Sequence, residues 1–124
     1  MPGMHGFQLG GIYVWASVRE VRDDDGRHLL IARDEKEITV VTAPENLAAL
    51  DVIEVNRDRW RLMVIEPETP FYCVGFIARL SASLAAEGMD ILVLSTFTRD
   101  LFFVKEEEGE RAAAVVRATI ESWR

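Results

Sequence analysis

The stretch Thr69–Lys105, TPFYCVGFIARLSASLAAEGMDILVLSTFTRDLFFVK, decides the fold. Counted from Cys73, apolar side chains fall at Val74, Phe76, Ile77, Leu80, Leu84 and Ala85, with Arg79, Ser83 and Glu87 off the stripe. That spacing is one face of an α-helix. Gly88 supplies the left-handed position at which helices commonly end. Ile91–Leu94 is a short continuous apolar run, the pattern of a central strand covered on both faces. Thr96–Asp100 is a polar turn that sends the chain back into Leu101–Val104, an antiparallel neighbour. Upstream, Trp60–Glu66 (WRLMVIE) reads as a further strand. A strand, a helix and a strand joined by short links predict a right-handed crossover and parallel pairing. A last helix runs from about Glu107 to Trp123. Its apolar stripe is Ala112, Val115, Val116, Thr119, Ile120 and Trp123. Glu106, Glu107 and Glu108 sit at its start, where carboxylates favour the positive end of the helix dipole.

The half before this stretch is shorter of signals. Met1–Gly11 is glycine-rich with one proline, and predicts a loop or a frayed segment. Gly11–Val18 alternates, with Tyr13, Trp15 and Ser17 on one face and Ile12, Val14 and Ala16 on the other, and predicts a strand. Arg22–Gly26 is a turn. Leu29–Ala32 and Glu37–Thr42 read as strands, Pro44–Leu50 as a short helix opened by proline, and Val52–Val55 as a fourth strand. The order is β-β-β-α-β, then β-α-β-β-α. Each half is close to a β-α-β-β-α-β plait with one piece lacking: the first helix in one, the final strand in the other. A diverged duplication follows from this element order, with residues 1–58 as one unit and 59–124 as the other.

Composition narrows the function classes. The 124 residues are 49% apolar, enough for a packed core. A net charge of −7, with Arg57, Arg59, Arg61 and Arg79 forming no stripe, argues against a nucleic-acid partner. The single cysteine, Cys73, excludes an intrachain disulfide and fits a reducing compartment. Gly6–Ala16 lacks the basic flank of a signal peptide, and no apolar run reaches the roughly 18–20 residues that span a bilayer. The expectation is a cytoplasmic protein with no membrane partner. No phosphate-binding glycine loop, metal-ligand cluster or nucleophile–base pair stands out. No catalytic residue, metal or cofactor is therefore expected. Cys73 reads as a buried structural thiol, Asp23–Asp25 as a solvated loop, and Trp15, Trp60 and Trp123 as core or interface residues whose N–H groups want partners.

Gly75-Phe76-Ile77-Ala78-Arg79-Leu80, followed by Gly88-Met89-Asp90-Ile91, resembles the ACT domain. In that fold one glycine opens the first helix and a second precedes the second strand. Ser95–Glu107 (STFTRDLFFVKEE) is similar to the Ser-Thr-aromatic-x-x-Asp-aromatic-x-x-Val-Lys-Glu pattern of short two-ACT proteins, with Leu101 where an aromatic residue is more usual. Those proteins are similar to the ACT domains of eukaryotic arginine sensors and to stand-alone bacterial ACT proteins. The likeness is stronger over residues 60–117 than over 10–58. It implies an α+β, ferredoxin-like sandwich of two ACT-like units arranged as a pseudo-dimer. It further implies a non-enzymatic regulatory protein that binds an amino acid between units and acts on a partner protein.

Carried over residue by residue, the ligand would meet Thr69, Phe71, Tyr72, Cys73, Val74 and Gly75 in one loop. In the other it would meet Ser95, Thr96, Phe97, Thr98 and Asp100. Free N–H groups at the Tyr72–Gly75 turn suit a carboxylate, and Asp100 suits an ammonium or a basic side chain. The alternatives are an interaction module on an ACT scaffold that has lost its ligand, or an accessory piece of amino-acid kinase metabolism. The strands Trp60–Ile65 and Ile91–Leu94 are apolar on both faces, which predicts a homodimer or an intrachain pseudo-dimer.

Overall fold

The computed structural model describes residues 4–22 and 24–123. Seven strands and two α-helices follow one another: β1 (Met4–Val18), β2 (Leu30–Arg33), β3 (Ile38–Thr42), β4 (Val52–Val55), β5 (Trp60–Pro67), α1 (Phe76–Ala86), β6 (Leu92–Ser95), β7 (Asp100–Lys105) and α2 (Gly109–Ser122). The chain divides into two compact units. One takes the residues up to Gly10 together with Arg61 onward, and the other takes Gly11–Trp60.

In the first unit the strands lie in the order β1-β5-β7-β6. This is the ferredoxin-like plait, with the early part of β1 in the place of the fourth strand. One face of the sheet carries Met63 and Ile65 from β5 and Phe102 and Val104 from β7. Phe76, Leu80 and Leu84 of α1 and Ala112 and Val116 of α2 close over them. Burying each large side chain of this set stabilises the unit by about 1.5–3 kcal/mol. The helices are fastened at one end. Trp123 meets Phe76 edge-on at 5.4 Å, Arg79 lies over the Trp123 ring at 5.6 Å, and Arg79 Nη2 donates to Ser122 Oγ at 2.9 Å. The buried Thr119 hydroxyl is satisfied within its own helix, donating to the Val115 carbonyl at 2.9 Å.

The second unit is built on the later part of β1. It pairs antiparallel with β3 (Trp15 opposite Val41, Ala16 opposite Val40) and with β4 (Ala16 opposite Val55), and β2 extends the sheet beyond β3. Val14, Ala16 and Val18 are buried, as the alternation predicts. Leu47 and Leu50, in and just after a 3-10 helix at Pro44–Ala49, pack against this core. Trp60 Nε1 finds its partner in Asn56 Oδ1 at 3.2 Å. The fully buried Thr42 hydroxyl is held by Asn46 Nδ2 and the His28 ring, both at 2.9 Å.

Two sequence expectations are corrected. The glycine-rich segment is extended from Met4 onward rather than looped, because its backbone pairs with β5; residues 1–3 lie outside the described residues. Strand β6 is an edge strand, not a central one, and β5 and β6 are not parallel neighbours, because β7 lies between them. Val93 accordingly faces outward while β7 is buried from Leu101 to Val104. The acidic run Glu106–Glu108 forms one 3-10 turn ahead of α2. Asp23 lies outside the described residues, and Asp25 is ion-paired with Arg27 at 2.6 Å.

Phe7 and Leu9 of β1 pack against the core of the first unit, and Arg117 lies over the Phe7 ring at 5.1 Å. Leu9→Ala and Phe7→Ala should each cost about 1–3 kcal/mol in urea unfolding, the lower part of the range for large-to-small core changes because both are half-buried. A frayed segment would show no change.

Candidate functional site

Two turns of the first unit face each other. The first runs from the end of β5 to the start of α1. Its chain folds back at Phe71, whose φ of 70° is left-handed. That conformation costs a non-glycine residue roughly 1–2 kcal/mol. Local contacts hold it: Tyr72 N donates to the Thr69 carbonyl at 3.1 Å, and the Phe71 ring meets Phe97 edge-on at 5.2 Å. Gly75 is also left-handed, with φ 85°, and caps α1 without a side chain. Phe76 N reaches back to the Cys73 carbonyl at 3.3 Å, and Arg79 N makes the first full helical bond, to Gly75, at 3.0 Å. The N–H groups between them, at Ile77 and Ala78, are the donors a helix start leaves without intrahelical partners.

The second turn joins β6 to β7. Thr96 N donates to the Arg99 carbonyl at 2.8 Å, and Thr96 Oγ1 donates to the same oxygen at 3.3 Å. Ser95 and Asp100 are cross-strand partners, and Ser95 Oγ donates to Asp100 Oδ1 at 2.9 Å. The carboxylate is thereby oriented by its neighbour.

Between the turns lies a cavity of about 170 Å³. Of the residues named from sequence, Phe71, Cys73, Ser95, Thr96, Thr98 and Asp100 line it. Thr69, Tyr72, Val74, Gly75 and Phe97 do not. Tyr72, Val74 and Phe97 are instead 72%, 88% and 79% exposed. Pro67 and Ile77 also line the cavity, outside the two segments expected from sequence, and Pro70 and Arg99 line it from within them. Ile77 belongs to the first turn of α1, directly after the loop that supplies Phe71 and Cys73. Arg99 sits inside the predicted turn, next to Asp100. Cys73 is half-exposed rather than buried. Partial burial pushes its thiol pKa up, and the Asp100 carboxylate adds to the rise.

A larger depression, about 240 Å³, lies in the second unit beside His28 and Leu50. Its charged side chains are already paired: Arg22 with Glu20, and Asp51 with Arg19. Arg27 holds the Asp25 carboxyl down at about 2. Among the described residues no three acidic, histidine or cysteine side chains group to hold a metal ion. No helix there is long and apolar enough to cross a membrane.

Residues 55–118, which contain both turns, match the family profile of the ACT domain. The chain belongs to the ACT domain family. No curated protein sequence matches it. Solved structures share this fold over nearly the whole chain. A Vibrio cholerae protein of unknown function, described as a possible transport protein, superposes with a TM-score of 0.76 at 21% identity over 92% of this chain and 88% of its own. An Agrobacterium tumefaciens protein gives 0.70 at 23% identity over 96% and 90%. The ligand-free regulatory subunit of aspartate kinase from Thermus thermophilus gives 0.68 at 12% identity over 94% and 97%. ACT domains as a family are regulatory modules for small ligands, and the plait seen here is theirs.

The thiolate is the reactive form of cysteine. With its pKa raised, Cys73 should alkylate with iodoacetamide at pH 8 more slowly than free cysteine. Asp100→Asn removes the charge contribution and should speed the reaction and move its pH profile down. Identical profiles in the two proteins would dissociate the thiol from Asp100.

Proposed function

We propose that this ACT protein binds an amino acid in the cavity between its two turns and regulates a partner protein without catalysing a reaction. The observation that carries the reading is the convergence of an oriented carboxylate, hydroxyls and a helix start on one small cavity. An ammonium group suits Asp100, and the α1 start favours an anion. A cavity of about 170 Å³ is well below the ~300–1,000 Å³ of drug-sized ligand sites, so the ligand is small. The element order of the second unit, β-β-β, a 3-10 helix and β, supports a diverged ACT-like unit within residues 1–58, with the segment up to Gly10 given over to the other unit. The lone cysteine, kept as a thiol, supports a cytoplasmic setting.

A second reading is favoured by one feature. The hydroxyls of Ser95 and Thr96 are already engaged within their own turn, and Phe71, Tyr72, Val74 and Phe97 leave apolar surface exposed beside it. An interaction module would use that surface without a ligand. A homodimer would also cover it, and light scattering at rising concentration measures that association.

A thermal-shift screen against the twenty amino acids, followed by calorimetry, separates the readings. A ligand of the native state adds about 2.7 kcal/mol of stability at 100 times its Kd. One or more amino acids should give a saturable shift, and Asp100→Ala should raise the half-saturating concentration about tenfold or more without changing the unliganded Tm. No shift with any of the twenty moves the function to the interaction module.

A further inference from the structure

We infer that the ligand is a zwitterionic amino acid with an uncharged, apolar side chain, held through its ammonium by Asp100 and through its carboxylate by Arg99. This rests on the amino-acid reading above and narrows it. The two residues are adjacent on the rim of one turn and both line the cavity. Ser95 occupies Asp100 Oδ1, which leaves Oδ2 for an ammonium. Among the described residues the exposed Arg99 guanidinium holds no ion pair. Its planar fork matches a carboxylate with two parallel hydrogen bonds.

The opposite wall decides the side chain. It is made by Pro67, Pro70, Phe71 and Ile77, with the Cys73 thiol among them. The raised pKa keeps that thiol neutral near pH 7. With Asp100 and Arg99 both engaged by the zwitterion, no charge lines the cavity to meet a second one. A lysine or arginine ligand would place an unpaired cation against proline and phenylalanine, and a glutamate would bring a second anion for which only the N–H groups at the start of α1 are left. Leucine, valine, methionine or phenylalanine would instead replace water against the apolar wall.

Calorimetry on the full chain tests this with leucine, valine, methionine and phenylalanine against lysine, arginine, aspartate and glutamate. The best of the apolar four should bind about tenfold or more tightly than any charged amino acid. Its amide and its N-acetyl derivative should each lose a similar factor, the loss of one charge-assisted contact. Arg99→Met should weaken the parent amino acid and erase its advantage over the amide. Asp100→Asn should erase its advantage over the N-acetyl form. An unchanged unliganded Tm shows that each variant is folded. Tighter binding of a charged amino acid overturns the inference and leaves the amino-acid reading standing. An amide still discriminated by Arg99→Met overturns the assignment of the carboxylate to Arg99. Binding by none of the twenty amino acids overturns both.

Discussion

Strand β5 is interior to its sheet, so its N–H and C=O groups need partners along both sides. A buried backbone group left unpaired costs as much as a lost hydrogen bond. β7 covers one side, and β1 covers the other. The approach of β1 is close enough to constrain composition. A methyl group on Gly10 would lie 3.0 Å from Leu62 Cδ2, and Arg61 Nε donates to the Gly10 carbonyl at 2.6 Å. The stem of the same arginine runs past the start of α2, where a methyl group on Gly109 would lie 2.9 Å from Arg61 Cγ. The sheet, the entry of the last helix and the burial of Met63 and Ile65 therefore all depend on how β1 seats against β5.

The site inherits its order from this frame and from bonds within each turn. Asp100 begins β7, so the sheet fixes its backbone, and Ser95 fixes its carboxylate. Phe71 is held in an unfavourable backbone conformation by ring contacts with Phe97, which belongs to the other turn. A binding surface ordered before the ligand arrives loses less entropy on association. The cavity's polarity is also divided. Charge and hydroxyls come from the β6–β7 turn, and apolar surface comes from the β5–α1 turn and the first turn of α1.

The helices were legible because their pattern is local. Phe76, Leu80 and Leu84 recur on one face whatever the sheet does, and Gly88 stops the helix with its own left-handed φ. Strand placement is not local. The run Ile91–Leu94 is as apolar as a central strand, yet it lies at the edge because β7 takes the interior place. Likewise the glycines before Gly11 outweighed the alternation of Phe7 and Leu9, which was the available sign of a half-buried strand. The site was partly legible for the same reason. Motif positions such as Ser95 and Asp100 are read from their neighbours in sequence. The enclosure made by Pro67, Pro70 and Ile77 exists only once both turns are folded.

Strand β1 continues without a break from one unit into the other, and residues 11–59 lie between its Phe7–Gly10 portion and the start of its partner β5 at Trp60. That nesting sets an order of events during synthesis. The ladder of β1 with β3 and β4 can close while Arg61 onward is still untranslated. The Phe7–Gly10 portion then waits as an unpaired edge. Closing it against β5 is a long-range step, and contacts of high sequence separation form slowly. A nascent chain paused between Trp60 and the completion of β5 would expose that edge to any other extended segment nearby.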